Sequence, residues 1–366
     1  MKLFCDGLDL SEAVLKVIKA ASNKNINPIL EGIKLTAENN SLTLVATDSE
    51  LAIEKKISAD VKVEGETVVP GKFFCEFVKK LAHSQIELDL NEKNLLKIKY
   101  ADSEVTIQCI NALEYPTIQK IDNAQFFTIN QLDFKELIDK SIFSVALDDA
   151  RPILKGCLFE IEENKITSVA LDGFRLAKAT MPIKEQTARV SVIVPGRSLN
   201  EISKLLTEND ENIRVFIQRN YLMVQVDNTK IITRLIDGDF INYNNIINND
   251  FTTIITVNKN QFEDALDRAS ILSRVSNDNS VKLSIKDQLL TLTSQSEIGN
   301  VTEKLPIVLE GNELNISFDS RFIKDCLRVC KDEFLKLCFT TSISPCIIKA
   351  NENDSYLFLI LPLKQF

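Results

Sequence analysis

A self-similarity of long period constrains this chain more than any other feature. Asn27-Pro28-Ile29-Leu30-Glu31-Gly32 returns as Arg151-Pro152-Ile153-Leu154-Lys155-Gly156, with the two prolines 124 residues apart. Leu44-Val45-Ala46-Thr47-Asp48 returns as Ser168-Val169-Ala170-Leu171-Asp172 at the same interval. Val69-Pro70-Gly71-Lys72 returns as Val194-Pro195-Gly196-Arg197, 125 residues on. Matches in the same order at nearly one interval indicate a duplicated unit. A fainter third copy follows, in which Phe318-Asp319-Ser320-Arg321 stands 124 residues after the Val194 run and is preceded by paired strand patterns at 281–285 and 289–293. The copies span about 1–124, 125–250 and 251–366.

Within each copy the hydrophobic period switches between helix and strand. Helices are expected near 10–22, 131–145 and 259–273, and again near 71–82, 196–207 and 319–331. In the second of these, Leu132, Phe134, Leu137, Ile138, Ile142 and Val145 fall on one stripe. Pro70-Gly71 and Pro195-Gly196 punctuate two entrances, and Asp319 is placed to cap a third. Most of the rest alternates as strands do, for example Leu222-Met223-Val224-Gln225-Val226, with Asn-rich turns between. The expected class is α+β: three tandem copies of two helices packed on antiparallel sheet.

Composition narrows the function. No apolar run in the 366 residues approaches the roughly 20 needed to span a membrane. Met1-Lys2-Leu3-Phe4-Cys5-Asp6 lacks the signature of a secretory signal, so a cytoplasmic location is expected. The eight cysteines form no C-x-x-C pair, and the expectation is free thiols with no metal and no cofactor. The single histidine, His83, removes the commonest acid–base route, and no catalytic residue is assigned. A net charge of −9 argues against a polyanion binder over the whole surface, but not against a local basic face.

Such faces occur on equivalent helices. Arg321, Lys324, Arg328 and Lys331 share one side of the last helix; Arg197 and Lys204 share one side of its counterpart; Lys72, Lys79 and Lys80 do so in the first copy, with Lys24 nearby. One stripe alone is usually a solvated helix face. Recurrence in three copies points to loose, sequence-independent contact with phosphates.

Several motifs then resemble a known family, the sliding clamps, the beta subunits of bacterial DNA polymerase III. Leu171-Asp172-Gly173-Phe174-Arg175-Leu176-Ala177 is close to that family's Thr-Asp-Gly-His-Arg-Leu-Ala run. Arg234-Leu235-Ile236-Asp237-Gly238-Asp239-Phe240, Arg268-Ala269-Ser270-Ile271-Leu272, Lys72-Phe73-Phe74 and the terminal Leu361-Pro362-Leu363-Lys364 add to it, over essentially the whole chain. The resemblance implies a head-to-tail homodimeric ring around double-stranded DNA. It also implies a hydrophobic pocket for short peptides of the replicative polymerase alpha subunit, the clamp loader and repair polymerases. Carried over by motif, that pocket includes Leu154, Leu171, Gly173, Phe174, Arg175 and Leu176, flanked by Ile241 and Ile246. Ile343, Leu359, Leu361, Pro362, Leu363 and Lys364 close its other side. The dimer contact would set Lys72, Phe73 and Phe74 against Ile271 and Leu272, with Glu297 and Glu303 in reach for cross-subunit pairs. The sequence departs from the family at Ile241, often Pro, at Phe174, commonly His or Tyr, and in the extension Gln365-Phe366, all of which bear on peptide preference. Two other readings stay open: a repeat scaffold that binds peptides but no DNA, and a hydrolase using Asp148 and Asp149.

Overall fold

The computed structural model describes residues 1–22, 27–119, 121, 124–148, 150–275 and 279–364. Lys24, Asp149, Gln365 and Phe366 lie outside the described residues. Six α-helices are described: α1 (Gly7–Val17), α2 (Gly71–Val78), α3 (Gln131–Ile142), α4 (Gly196–Leu205), α5 (Lys259–Val275) and α6 (Ser320–Val329). Each follows directly on a strand, and each third of the sequence holds two.

Helix starts follow from capping. Asp6 accepts hydrogen bonds from the backbone N–H groups of Leu8 and Asp9, so α1 begins at Gly7 and not near residue 10 as expected. Asn130 caps α3 through Leu132 and Asp133. Asp319 accepts from the Arg321 N–H at 2.9 Å, as the sequence suggested. Buried residues then recur at helical spacing: Leu10, Ala13, Val14 and Val17 on α1; Phe134, Leu137 and Ile138 on α3; Phe262, Ala265, Leu266 and Ala269 on α5.

The repeat is written most plainly in turns. Asn39 and Asn40, Glu163 and Asn164, and Asp287 and Gln288 all have positive φ, between 48° and 60°. Each pair closes a two-residue hairpin, between Glu38 and Ser41, Glu162 and Lys165, and Lys286 and Leu289. Left-handed conformation at both central residues suits the twist of the flanking strands.

Long-range contacts divide the chain into two compact units, and these do not follow the copies. One holds Met1–Ile129, Lys204–Leu206 and Glu211–Leu235; the other holds Asn130–Ser203, Thr207–Asp210 and Ile236–Phe366. Strand pairing gives the reason. In the first unit the strand Thr229–Arg234 pairs antiparallel with Leu51–Ser58, so a hairpin of the second copy extends a sheet of the first. In the second unit Arg175–Pro182 pairs antiparallel with Tyr356–Ile360, so the second and third copies share a sheet. Edge strands that would otherwise expose unpaired N–H and C=O groups are thereby satisfied. The paired strands are antiparallel throughout the described ladders, and the architecture is α+β. No described helix is long and apolar enough to cross a membrane.

All eight cysteines are free, seven of them buried and Cys75 half-buried. Burial pushes the Cys5 and Cys157 thiols up to about 12 and Cys330 to about 11, from an ordinary 9.0. At pH 8, alkylation followed by mass spectrometry is therefore expected to find Cys75 modified first and the buried thiols only after unfolding. A thiol kept neutral in the fold but free to ionise when unfolded favours unfolding at high pH. Stability is thus expected to fall as pH rises past about 9.

Candidate functional site

In the second unit a buried aliphatic floor meets an exposed apolar rim. Leu154, from the 3-10 turn Pro152–Lys155, joins Leu171, Leu176 and Leu359 in one core cluster, each no more than 5% exposed. Ile241 packs against that cluster, partly buried. Also in this unit, Phe174 (61% exposed), Ile343 (84%), and Ile246, Leu361 and Leu363 (36–39%) are exposed apolar side chains. Core packing accounts for the floor. The rim has no such explanation, and an exposed apolar edge on a buried apolar base is the form of a docking groove.

Local chemistry holds the rim out. Gly173 has φ +95°, and a Cβ there would meet nothing within 4 Å. The Asp172 carboxylate accepts from the N–H groups of Phe174 and Arg175, closing a tight turn that lifts the Phe174 ring outward. The N–H of Leu361 donates to the Phe174 carbonyl at 2.9 Å, and that of Leu363 to the Ser317 carbonyl at 2.8 Å. These bonds fix Pro362 between them and leave Lys364 exposed beyond. Ile246 follows the 3-10 turn Tyr243–Asn245, which is anchored by the buried Tyr243, whose hydroxyl donates to Glu160 at 2.6 Å.

Arg175 belongs to the turn's foundation. Its Nε bonds Asp172 at 2.9 Å and its Nη1 bonds Asp325 of α6 at 2.6 Å. The guanidinium lies between the rings of Phe143 and Phe322, at 5.5 and 4.7 Å from their centroids, and Phe174 stacks on Phe322 at 6.3 Å. Its side chain is only 11% exposed. Arg175 therefore orients the rim, and the motif that singled it out is silent on Phe143, Phe322 and Asp325.

Lys72, Arg197, Lys204, Arg321, Lys324 and Arg328 lie on helices, whereas Lys79 and Lys80 fall just past the end of α2 and Lys331 just past that of α6, because both helices end earlier than expected. Lys72, Lys79, Lys80, Arg197, Lys204, Arg321 and Arg328 are exposed, and Lys324 is partly so. Acids temper the face of α6. Asp319 holds Arg321 at 2.6 Å, Asp267 holds Lys324 at 2.5 Å and Asp325 holds Arg328 at 3.1 Å, while Lys331 pairs with Glu136. The carboxylate partners raise the Arg321 and Lys331 pKa values further above ordinary. Arg321, Lys324 and Arg328 also border a depression of about 270 Å³ with Arg274 and Ser270.

The residues expected at the subunit contact differ in exposure. Lys72 and Phe73 are exposed, Phe73 at 47% and stacked on Phe77 at 5.9 Å. Ile271 is 61% exposed and Leu272 partly buried. Phe74 requires correction: it is 0% exposed, because α2 turns Phe74 and Val78, one helical turn apart, into the core. Glu303 already holds Arg268 of its own chain through two bonds, at 2.9 and 2.7 Å, whereas Glu297 is exposed. Asp148 is an exposed residue bonded to the Ala150 N–H at 3.0 Å.

Three tandem α+β copies carrying exposed apolar side chains beside a buried aliphatic cluster, and basic residues on their helices, define a class of scaffold. The models of the DNA polymerase III beta subunit match the chain in series: the N-terminal domain over residues 1–119, the central domain over 128–242 and the C-terminal domain over 244–364. The beta sliding clamp of Bacillus subtilis is 33% identical over 370 residues, covering 98% of both chains. That of Staphylococcus epidermidis is 31% identical over 359 residues, covering 95% of each. The crystal structure of the Bacillus subtilis DNA polymerase sliding clamp superposes with a TM-score of 0.97 over the whole of both chains at 31% identity. A DNA polymerase III beta subunit from Thermotoga maritima gives 0.92 at 27% identity, again over the whole of both. The chain belongs to the DNA polymerase III beta subunit family, and its fold is three tandem clamp domains.

Proposed function

We propose that this chain is a DNA polymerase processivity factor, a sliding clamp. Two copies join head to tail into a ring around double-stranded DNA, and the groove tethers short hydrophobic peptides of the replicative polymerase, the clamp loader and repair polymerases. The observation that carries this reading is the tiling of one chain by the three domain models in order. The repeat boundaries near 124 and 250 belong to the same proposal. So does the absence of catalysis: the ring acts by topology in the cytoplasm, with no cofactor. Its basic faces, tempered by nearby acids, suit weak phosphate contacts that permit sliding.

Sedimentation across a dilution series tests the dimer. It is expected to return twice the 41.2 kDa mass of one chain, falling toward that mass on dilution. Phe73→Ala should shift the equilibrium toward the single chain with little change in fold stability. Phe74→Ala should instead cost about 4 kcal/mol of stability, as a large core truncation does. Equal dimer strength in wild type and Phe73→Ala would remove Phe73 from the interface.

A further inference from the structure

We propose that the apolar groove continues into a polar pocket on the same face of its sheet, and that this pocket receives an acidic stretch of the protein segment whose apolar residues fill the groove. The proposal rests on the groove reading above and deepens it.

Strand register supplies the geometry. Arg175–Pro182, Tyr356–Ile360 and Cys346–Ala350 are adjacent strands, and residues two apart share a face. One row across them is Leu176, Leu359 and Ile347, all in the buried aliphatic cluster of the groove floor. The next row on that face, about 7 Å along, is Lys178, Leu357 and Lys349. An aliphatic row thus gives way to one with a lysine on either side of a leucine.

A cavity of about 470 Å³ lies over this second row, lined by both lysines, by Asn244 and Asn249, and by Thr180 and Ser355. Amides and hydroxyls of this kind can meet the backbone of an extended chain. The ammonium of Lys178 lies over the Tyr243 ring at 5.4 Å, and among the described residues it pairs with no carboxylate. Among the described residues Lys349 pairs only with Asp354, at 3.4 Å, and the Asp354 side chain is 89% exposed. Glu160, behind Tyr243, is engaged by the Tyr243 hydroxyl. Among the charged side chains lining the pocket, two lysines face one exposed acid, Asp354, while Glu160 keeps its charge outside the lining, and this balance makes the pocket complementary to carboxylates. Continuity with the groove selects a peptide over a small free anion. Lysine contacts at a rim are weak and screened by salt, which suits partners that must exchange.

The test uses the full chain and three synthetic peptides sharing one apolar core, measured by fluorescence anisotropy. One carries two glutamates before the core, one carries them after it, and one carries glutamines at both ends. One acidic peptide is expected to bind ~5-fold tighter than the neutral one at low salt. The gain should vanish in the Lys178→Ala/Lys349→Ala double variant and at about 0.5 M salt. The neutral peptide should bind wild type and variant equally. No gain from either acidic end, or a gain that survives the double substitution, overturns the proposal. Failure of the neutral peptide to bind at all overturns the groove itself, and the extension with it.

Discussion

Replacing Phe174 and Leu361 together with alanine is expected to weaken binding of a short hydrophobic peptide by at least about 100-fold, each single change costing about 30-fold. Central apolar residues that fill an interface typically contribute about 2 kcal/mol or more each, and their effects combine without strict additivity. These two are the exposed apolar side chains tied together by the Leu361 N–H to Phe174 carbonyl bond, beside a floor that is already buried. Stability should change by only about 1 kcal/mol, the worth of the lost stacking of Phe174 on Phe322. Titration with a labelled peptide, alongside urea unfolding, separates the two effects. Unchanged peptide affinity in the double variant would place the docking site elsewhere.

Arg175→Ala is expected to lower stability by about 3 kcal/mol, far more than a typical change in a turn. The substitution leaves the Asp172 carboxylate, 14% exposed, with its two backbone N–H bonds but no cation. It also empties the space between Phe143 and Phe322. Asp325 keeps Arg328, which limits the loss on that side. Arg175→Lys should recover less than half. A compact ammonium lacks the planar fork with which the guanidinium bonds two carboxylates while its central carbon lies over two rings. Because the turn that presents Phe174 would relax, peptide affinity should fall in both variants. Urea midpoints read the first effect, and a cycle with Asp325→Asn isolates the pair. A loss under about 0.5 kcal/mol would show that the cage does not support the rim.

These two cases mark what the sequence can and cannot disclose. The repeat was readable because its signals are local: prolines, glycines and turn residues recur at a fixed interval, and the structure places left-handed pairs at 39–40, 163–164 and 287–288. The basic stripes were readable for the same reason, since helical spacing alone puts Arg321, Lys324 and Arg328 on one side. The seams between copies were not. Pairing of Thr229 with Lys55, or of Arg175 with Ile360, depends on which edges meet in three dimensions, and no local pattern encodes that. The cage around Arg175 was hidden likewise, its Asp325 partner being 150 residues away. Phe73 and Phe74 show a finer limit. Neighbours on a helix point about 100° apart, and a motif that names both does not say which one faces inward. Val78, one turn beyond Phe74, carried the missing signal.

Retention on DNA of differing topology addresses the sliding ring most directly. Protein loaded by a clamp loader onto closed circular duplex should remain bound through gel filtration in high salt, since escape requires opening the ring rather than breaking phosphate contacts. Cutting that DNA once should release it within the same run, and reversing Arg321 and Arg328 to Glu should reduce loading without abolishing retention of the rings already closed. Equal retention on circular and linear DNA, or loss from both at the same salt concentration, would contradict a topological clamp.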